Sequence, residues 1–162
     1  MAGIGRREVL AGAAALAAAG GGFASPAWAQ SASQAAEAEK ARADTLRAVF
    51  GGRVPVPGMV RLRVPVVAEN GNSVQIAVAA DPGPDGAMAK RIVLSAPGNP
   101  FPLAAEARFG PRAARAEAVM RLRFGRSQTV LAVAELPDGS LRSASADITV
   151  TLGACAENFE NP

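Results

Sequence analysis

From residue 60 onward, apolar and polar side chains alternate in short runs that are separated by turn residues. Residues 60–64 (Val-Arg-Leu-Arg-Val) and 74–78 (Val-Gln-Ile-Ala-Val) place their apolar side chains on one face. This period of two is typical of half-buried strands and cannot line up an apolar stripe along a helix. Turn chemistry punctuates the runs, with Asn-Gly at 70–71, Pro- and Gly-rich loops at 81–86 and 97–102, and Pro-Asp-Gly-Ser at 137–140. The pattern predicts sheets.

About seven such runs follow one another without a helical pattern between them. They lie at residues 60–64, 74–78, 91–94, 104–109, 117–124, 128–134 and 141–152. Pro65 predicts a break or a sheet edge after the first run, because proline cannot donate to a strand ladder. Short strands at regular spacing predict an all-β fold, an antiparallel β-sandwich of immunoglobulin-like shape.

One short helix is predicted ahead of the strands, over residues 33–50. The segment is rich in strong helix formers, with Ala35, Ala38, Leu46, Val49 and Phe50 near helical spacing. Ser33 is the predicted N-cap, and Gly51-Gly52 predicts the end. We expect a docking element rather than part of the core.

The first 29 residues are typical of an export signal. Arg6-Arg7 precede the weakly apolar run 9–19, and Ala27-Trp28-Ala29 forms a small-x-small cleavage site. Paired arginines before such a run favour the twin-arginine route; an ordinary secretory signal with a chance arginine pair is the alternative. The run is too short and too rich in Ala and Gly for a membrane span. We expect a mature protein from about Gln30 that works in a periplasm.

These patterns divide the chain into four parts. We expect the export signal at 1–29, a helix and linker at 30–53, the sandwich at 54–152 and a flexible C-terminal arm at 153–162.

Composition excludes several classes of catalysis. The sequence contains no histidine and one cysteine, which removes Ser-His-Asp and Cys-His mechanisms, most zinc and copper sites, internal disulfides and CxxC redox pairs. We therefore predict no metal site and no cofactor. The net charge of +3 comes from scattered arginines and does not predict nucleic-acid binding.

The single thiol, Cys155, is the candidate functional group. Gly153 and Ala154 precede it and Ala156 follows it, so small side chains surround the sulfur where the predicted last strand ends. A group carried there could enter a recessed active site, because Gly153 gives the backbone freedom and the alanines keep the arm narrow. Exposure also matters, since the thiolate is the reactive form.

Two groups of strand residues have both a functional and a structural interpretation. The arginines could attract an anion, although a solvated sheet face is the ordinary explanation; they are Arg61, Arg63, Arg121 and Arg123. Val119, Leu122 and Phe124 could contribute to a partner surface, but core burial is the expected role.

Several motifs, in order along the chain, resemble those of the SoxY family, the carrier subunits of the periplasmic Sox sulfur-oxidation system. Besides Arg6-Arg7, they are Val-Val-Ala-Glu-Asn-Gly at 66–71, Gly-Asn-Pro-Phe-Pro at 98–102, Ser-Gln-Thr-Val-Leu-Ala-Val-Ala at 127–134 with Asp138-Gly139, and Val-Thr-Leu-Gly-Ala-Cys at 150–155. The resemblance covers roughly residues 54–155.

This resemblance implies a non-catalytic carrier that forms a heterodimer with a SoxZ-like subunit. It implies that Cys155 binds thiosulfate-derived sulfur covalently and presents it to periplasmic Sox enzymes. Those enzymes would be a haem-containing sulfur transferase, a hydrolase and a sulfane dehydrogenase.

The arm departs from the family pattern, which ends in Gly-Gly-Cys-Gly-Gly or close to it. Here alanines flank Cys155, and the chain continues Glu157-Asn-Phe-Glu-Asn-Pro162. The extension adds Phe159, and its two glutamates disfavour a thiolate or an anionic adduct nearby.

Three alternatives to this function remain open from the residues. The chain could be a divergent carrier of another pathway, or an immunoglobulin-like interaction module whose Cys155 forms an intermolecular disulfide. A catalytic thiol enzyme is the third, although no base or oxyanion group can be named for it.

Overall fold

The computed structural model describes the backbone of residues 27–153 and the side chains of residues 32–153. The chain divides into two compact units between Ser33 and Gln34. Of the first unit, the described residues are the start of a helix. The second unit contains the rest of that helix and all of the strands.

One helix and nine strands follow in chain order. The helix α1 spans Ala27–Phe50, and the strands are β1 (Val56–Pro57), β2 (Val60–Arg63), β3 (Val67–Asn70), β4 (Val74–Ala80), β5 (Arg91–Ser95), β6 (Leu103–Arg108), β7 (Ala116–Leu122), β8 (Gln128–Glu135) and β9 (Leu141–Leu152). The predicted all-β sandwich with one N-terminal helix is confirmed. The number of strands is nine rather than about seven.

The strands form two sheets. The larger has six strands in the order β1-β9-β8-β5-β6, with β3 also paired to β9, and the smaller has the order β2-β4-β7. Most pairs are antiparallel, but β1 and β3 both run parallel to β9. The purely antiparallel sandwich expected from the sequence is corrected in this respect. Of the two additional strands, β1 has only two residues, too few for a period, and β3 reads Val-Ala-Glu-Asn, in which apolar and polar residues do not alternate.

The main core lies between the two sheets. The side chains at alternate positions of β4, Val74, Ile76 and Val78, are at most 3% exposed and join Ile92 and Leu94 of β5 in one buried cluster. Phe124 is completely buried there, as the sequence predicted. Pro65 follows the end of β2, an edge strand of the smaller sheet, so the predicted break is confirmed.

The opposite face of the larger sheet carries a second apolar cluster, which includes the end of α1. Phe50 is 2% exposed and packs with Val93, Leu131, Val133 and Leu141. With apolar clusters on both of its faces, β8 is buried at five consecutive positions from Val130 to Ala134. The end of the helix therefore has a small core of its own, beyond the docking role expected from the sequence.

Polar contacts reinforce this end of α1. The Arg91 Nε donates to Glu135 at 2.6 Å, and its Nη2 donates to the Val49 carbonyl at 3.2 Å. The Arg91 guanidinium also lies 5.0 Å from the Phe50 ring centroid, within cation–π range. Arg53 donates to the other oxygen of Glu135 at 2.8 Å.

The helix boundaries agree with the sequence at one end only. Gly51 and Gly52 have φ of +65° and +82°, so the predicted glycine stop after Phe50 is confirmed. The predicted start is wrong, because α1 begins at Ala27 and Ser33 lies inside it. The segment before Ser33 is itself rich in helix formers, which overrides a serine that could have capped the helix.

Within the part of the chain that the structure describes, no helix is long and apolar enough to cross a membrane.

Candidate functional site

The predicted site residues fall on the boundary of the described structure. Gly153 is described; Ala154, Cys155 and Ala156 lie outside the described residues, as do Arg6 and Arg7 of the export signal. The site can therefore be built up to the residue two positions before the thiol. We call Leu152 and Gly153 the arm root.

The end of β9 is held on one side by β3 and the residues that flank it. Thr149 N–H donates to the Val66 carbonyl at 2.9 Å, and Gly71 N–H donates to the Leu152 carbonyl at 2.7 Å. Between these two bonds, Ala68 and Asn70 pair in parallel register with Val150 and Leu152. The Ala-Glu-Asn-Gly motif is thus the segment that flanks the arm root.

The other side of β9 is held by the turn between β7 and β8. Val150 N–H donates to the Ser127 hydroxyl at 2.9 Å, and Phe124 N–H donates to the Gly71 carbonyl at 2.9 Å. The backbone is hydrogen-bonded up to Leu152, so the position from which the arm leaves the sheet is defined.

Gly153 lies directly against Gly125 of this turn. A Cβ at position 153 would overlap the Gly125 carbonyl oxygen and come 2.9 Å from its carbonyl carbon. Atoms do not approach a real Cβ so closely, and here the neighbour is backbone rather than a mobile side chain. The sequence interpretation gave Gly153 conformational freedom; the structure adds a steric reason for glycine at this position.

Asn99 organises the turn from the neighbouring loop. Its Nδ2 donates to the Arg123 carbonyl at 2.7 Å, and its Oδ1 accepts from Gly125 N–H at 3.0 Å and from Gln128 Nε2 at 3.1 Å. Gln128 in turn accepts from Gly98 N–H at 2.7 Å through its Oε1. The two amides tie the loops on either side of Gly125 together.

Sequence reasoning missed Asn99 and Gln128 as positioning residues. Both lie within motifs that carried the family resemblance, Gly-Asn-Pro-Phe-Pro and Ser-Gln-Thr-Val. A short amide side chain inside a Pro-rich loop was a signal for loop hydrogen bonding. Nothing local, however, indicates that their partners in the other loop lie 24 to 30 residues away along the chain.

Two arginines flank the glycine that touches the arm root. Arg123 and Arg126 are exposed, and within the described residues neither guanidinium has a hydrogen-bond or ion-pair partner. A Cβ on Gly98 would lie 3.1 Å from the Arg126 Nε, so the Arg126 side chain passes close over the Gly98 backbone. Glu69 lies between Ala68 and Asn70 of β3, which pair with Val150 and Leu152 of β9, and it adds a negative charge to the segment that flanks the arm root.

The other arginines singled out from the sequence lie on the outer face of the smaller sheet. Arg61 pairs with Asp81 at 2.9 Å, and Arg121 lies 3.5 Å from the Ser73 hydroxyl. Arg63 is exposed on β2. The predicted solvated face is confirmed.

The same face exposes one residue that was expected in the core. Val119 is 68% exposed, so core burial is wrong for it, whereas Leu122 is partly buried against the main cluster. The reason is parity, because Val119 and Leu122 are three positions apart on one strand and point to opposite faces.

The described residues offer a support for the arm and no catalytic group beside it. Among them, no three His, Cys, Asp or Glu side chains come together as metal ligands would. The arm root can hold the start of a thiol-bearing segment in place, and the guanidinium groups of Arg123 and Arg126 have no ion-pair partner among the residues that the structure describes.

Comparison with known proteins identifies one family. The model of the family described as "Sulfur oxidation protein SoxY" matches residues 46–155. No curated protein matches the chain.

Among solved structures, the chain is similar to a superoxide reductase (neelaredoxin) from Ignicoccus hospitalis, with 19% identity and a TM-score of 0.49 over 57% of this chain and 80% of that one. A putative superoxide reductase from Thermotoga maritima gives 16% identity and a TM-score of 0.47 over 60% and 87%.

Proposed function

Because the chain belongs to the SoxY family of sulfur oxidation proteins, we propose that it is a non-catalytic carrier that holds thiosulfate-derived sulfur covalently on Cys155. Its role in sulfur oxidation follows from the family. The carrier role, the attachment residue and the partners named below are the proposal.

The observation that supports the proposal is that the only cysteine of the sequence follows Leu152, the last residue of the anchored strand, by three positions. The family match ends at residue 155, which is the only cysteine of the chain. Val150 is held on both sides, by pairing with Ala68 and by its N–H bond to the Ser127 hydroxyl, and the Leu152 carbonyl still accepts from Gly71 at 2.7 Å. Two extended residues beyond Gly153 span about 7 Å, which is enough to hold a sulfur clear of the sheet edge.

The chemistry assigned to Cys155 needs an external electron acceptor. The Cys155 thiol loses its one proton, and a new S–S bond forms between the cysteine sulfur and the outer sulfur of the thiosulfate dianion. Two electrons leave in this step, and the haem-containing sulfur transferase would accept them. Cys155 is the nucleophile, which reacts as its thiolate.

Release of sulfate from the loaded carrier is a hydrolysis. Water attacks the terminal sulfonate sulfur, the bond to the inner sulfur breaks, and sulfate departs while a persulfide remains on Cys155. This step needs no electron acceptor, and a hydrolase would supply it. A sulfane dehydrogenase would then oxidise the sulfur that remains.

The proposal assigns all of these reactions to partner enzymes. The sequence has no histidine that could serve as a base near neutral pH. We further propose that the protein is exported to the periplasm by the twin-arginine route through Arg6 and Arg7, and that it pairs there with a SoxZ-like subunit.

A divergent carrier is the second candidate, and the arm favours it. Alanine stands on both sides of Cys155, and Glu157 and Glu160 follow within five residues of it. Carboxylates close to the sulfur oppose an anionic adduct. A carrier whose cargo or partner differs from those of the thiosulfate pathway would tolerate this arm.

Intact-mass analysis tests the proposal directly. Protein purified from the periplasm of cells oxidising thiosulfate is expected to carry a thiosulfate-derived adduct on Cys155, which a dithiol reductant removes. The Cys155→Ser variant from the same cells is the control and should carry no adduct. Wild-type protein that shows only a free thiol, or only a disulfide-linked dimer, would refute the carrier function.

A further inference from the structure

We propose that Arg123 and Arg126 form a binding site for the oxyanion end of a group carried on Cys155. The inference rests on the proposed function and deepens it, because it names the residues that would bind the negative charge of the group carried on Cys155. The ligand class is a small oxyanion tethered to the arm, such as the sulfonate end of a thiosulfate adduct.

Position is the first argument for the site. Arg123 and Arg126 lie two residues before and one residue after Gly125, whose carbonyl is in contact with Gly153. Cys155 follows Gly153 by two residues, or about 7 Å of extended chain. An arginine side chain has a similar reach, so its guanidinium and an adduct on the sulfur can meet without movement of the sheet.

Availability is the second argument. Six other arginines pair with carboxylates at 2.6–3.3 Å, namely Arg42 with Glu39, Arg47 with Asp44, Arg53 with Glu135, Arg61 with Asp81, Arg91 with Glu135 and Glu106, and Arg108 with Glu106. Arg123 and Arg126 have no such partner within the described residues. No described carboxylate therefore competes with an incoming anion for their donors.

Preorganisation is the third argument. The Asn99 amide binds the Arg123 carbonyl at 2.7 Å, and the Gln128 amide donates to the Arg126 carbonyl at 3.2 Å. The backbone on both sides of Gly125 is therefore tied to the loop that contains Gly98. Glycine at 98 leaves room for the Arg126 side chain, because a Cβ there would lie 3.1 Å from its Nε.

The chemistry of the groups fits an oxyanion. A guanidinium is always charged and presents several N–H donors in a plane, which suits sulfonate oxygens. Two such positive groups at the arm root would offset the negative charge of Glu69 and that of Glu157 and Glu160, which follow Cys155 in the sequence. The same field would attract an anionic co-substrate to Cys155.

Reaction rates of the thiol with charged and neutral reagents test the site without any Sox enzyme. The measurement is the ratio of second-order rate constants of Cys155 with an anionic aromatic disulfide, dithiobis(nitrobenzoate), and with neutral iodoacetamide. At low ionic strength, the double variant Arg123→Gln/Arg126→Gln should lower this ratio about threefold. High salt should reduce the difference between the variant and the wild type.

A matched control comes from the opposite end of β7. Arg115 is exposed and without a partner within the described residues, and it precedes Ala116, roughly 20 Å along the strand from Leu122. Arg115→Gln should leave the ratio unchanged, and Glu69→Gln should raise it. An unchanged ratio in the double arginine variant, or an equal fall in Arg115→Gln, would overturn the inference.

The carboxylates of Glu157 and Glu160 are oxyanions, as the sulfonate end of the adduct is. A second set of variants therefore tests which of these two ligands the arginines bind. Glu157→Gln/Glu160→Gln is combined with the arginine variants. If the effects on the rate ratio multiply independently, the arginines are free for the adduct. If the glutamate effect shrinks when the arginines are absent, the carboxylates occupy the site in the unloaded protein. Because no loading enzyme is present, absence of an adduct in cells would refute the carrier function without affecting this result.

Discussion

At the scale of single residues, the support of the arm depends on two glycines whose backbones touch. Gly153 has no room for a side chain, because the Gly125 carbonyl occupies the position that a Cβ would take. Gly125 N–H is bound at 3.0 Å by the Asn99 amide, which prevents the turn from withdrawing. Glycine at position 153 therefore allows the close contact with Gly125 that fixes where the arm begins. This role is additional to the backbone freedom expected from its lack of a side chain.

Substitution of Gly153 by alanine tests this contact. Gly153→Ala should separate β9 from the turn and weaken the hydrogen bond from Gly71 N–H to the Leu152 carbonyl, which measures 2.7 Å. We expect local opening to become about 1 kcal/mol easier, so that the Gly71 amide exchanges about fivefold faster with deuterated solvent. The readout is residue-resolved hydrogen exchange.

Gly110→Ala is the control for that substitution. Nothing lies within 4 Å of a Cβ at position 110, so the exchange rate of the Gly71 amide should not change. Equal exchange in Gly153→Ala and the wild type would show that the overlap is relieved without cost.

At the scale of elements, the end of α1 is attached by one aromatic side chain and one cluster of charges. Phe50 fills the outer apolar cluster, and Arg91 contacts its ring, the Val49 carbonyl and Glu135. The Val49 contact places a cation at a helix C-terminus, where the helix dipole favours positive charge. Packing and electrostatics thus act on the same turn of the helix.

The packing contribution is tested by Phe50→Ala. Phe50 is 2% exposed, and removal of a buried ring leaves a cavity that the sheet cannot fill. We expect the free energy of unfolding in urea to fall by about 3 kcal/mol. Val54→Ala, at a side chain that is 84% exposed, should change it by less than about 0.5 kcal/mol. Similar losses in both variants would contradict the packing role of Phe50.

The electrostatic contribution is tested through pH. Burial alone would raise the pKa of Glu135, but hydrogen bonds and charge attraction from Arg53 and Arg91 outweigh it and hold that pKa below its ordinary value of 4.5. A hydrogen bond from Arg108, aided by Arg91, lowers the pKa of Glu106 in the same cluster. A carboxyl with a lowered folded-state pKa stabilises the protein above its unfolded pKa, and this stability is lost as the pH falls.

Glu135→Gln should therefore destabilise the protein at pH 7 by about 1–2 kcal/mol and by less at pH 3. The reason is that the wild-type carboxylate gains protons as the pH falls through its lowered pKa and then loses its charge-assisted bonds to Arg53 and Arg91. Urea unfolding of both proteins at the two pH values measures the difference. A difference that is the same at pH 7 and pH 3 would exclude the charge of Glu135 as its cause.

At the scale of the whole molecule, the larger sheet is the central layer. One of its faces packs on the smaller sheet, and the other carries the cluster that includes Phe50. Its strand β9 pairs with β8 along one edge and with β1 and β3 along the other. The strand that leads to the thiol is therefore anchored on both edges, which suits a rigid support for a group that must be presented to other proteins.

The carrier and disulfide functions differ in what Cys155→Ser does to the whole assembly. Co-purified with a SoxZ-like subunit from cells, the variant should keep its non-covalent partner and lose sulfur oxidation entirely. The physical reason is that the proposed cargo site is a single thiol, whereas subunit pairing would use the folded domain. Size-exclusion chromatography with intact mass, together with thiosulfate consumption by cells, measures both.

An immunoglobulin-like module joined by a disulfide predicts the opposite result. Cys155→Ser would then abolish a covalent dimer, seen on non-reducing gels, and would leave thiosulfate consumption unchanged.

The amino-acid sequence by itself determined the features that depend on local chemistry. Short strand-like runs between turn residues identified seven of the nine strands, and the Gly51-Gly52 pair identified the helix end, because both signals act within a few residues. The motif order and the thiol after Leu152 also sufficed to find the family and the candidate attachment residue, Cys155.

Only the tertiary structure decided which distant segments meet. The parallel pairing of β3 with β9 joins residues 82 positions apart, and the Asn99 contacts with the turn at Gly125 join residues 24 and 26 positions apart. The exposure of Val119 depends on which face of the smaller sheet is left uncovered. Such contacts form because burial and hydrogen bonding are satisfied over the whole sandwich at once, so no local pattern announces them. The same reason explains Gly153: its glycine is visible in the sequence, but the backbone carbonyl that requires it belongs to a turn 28 residues earlier.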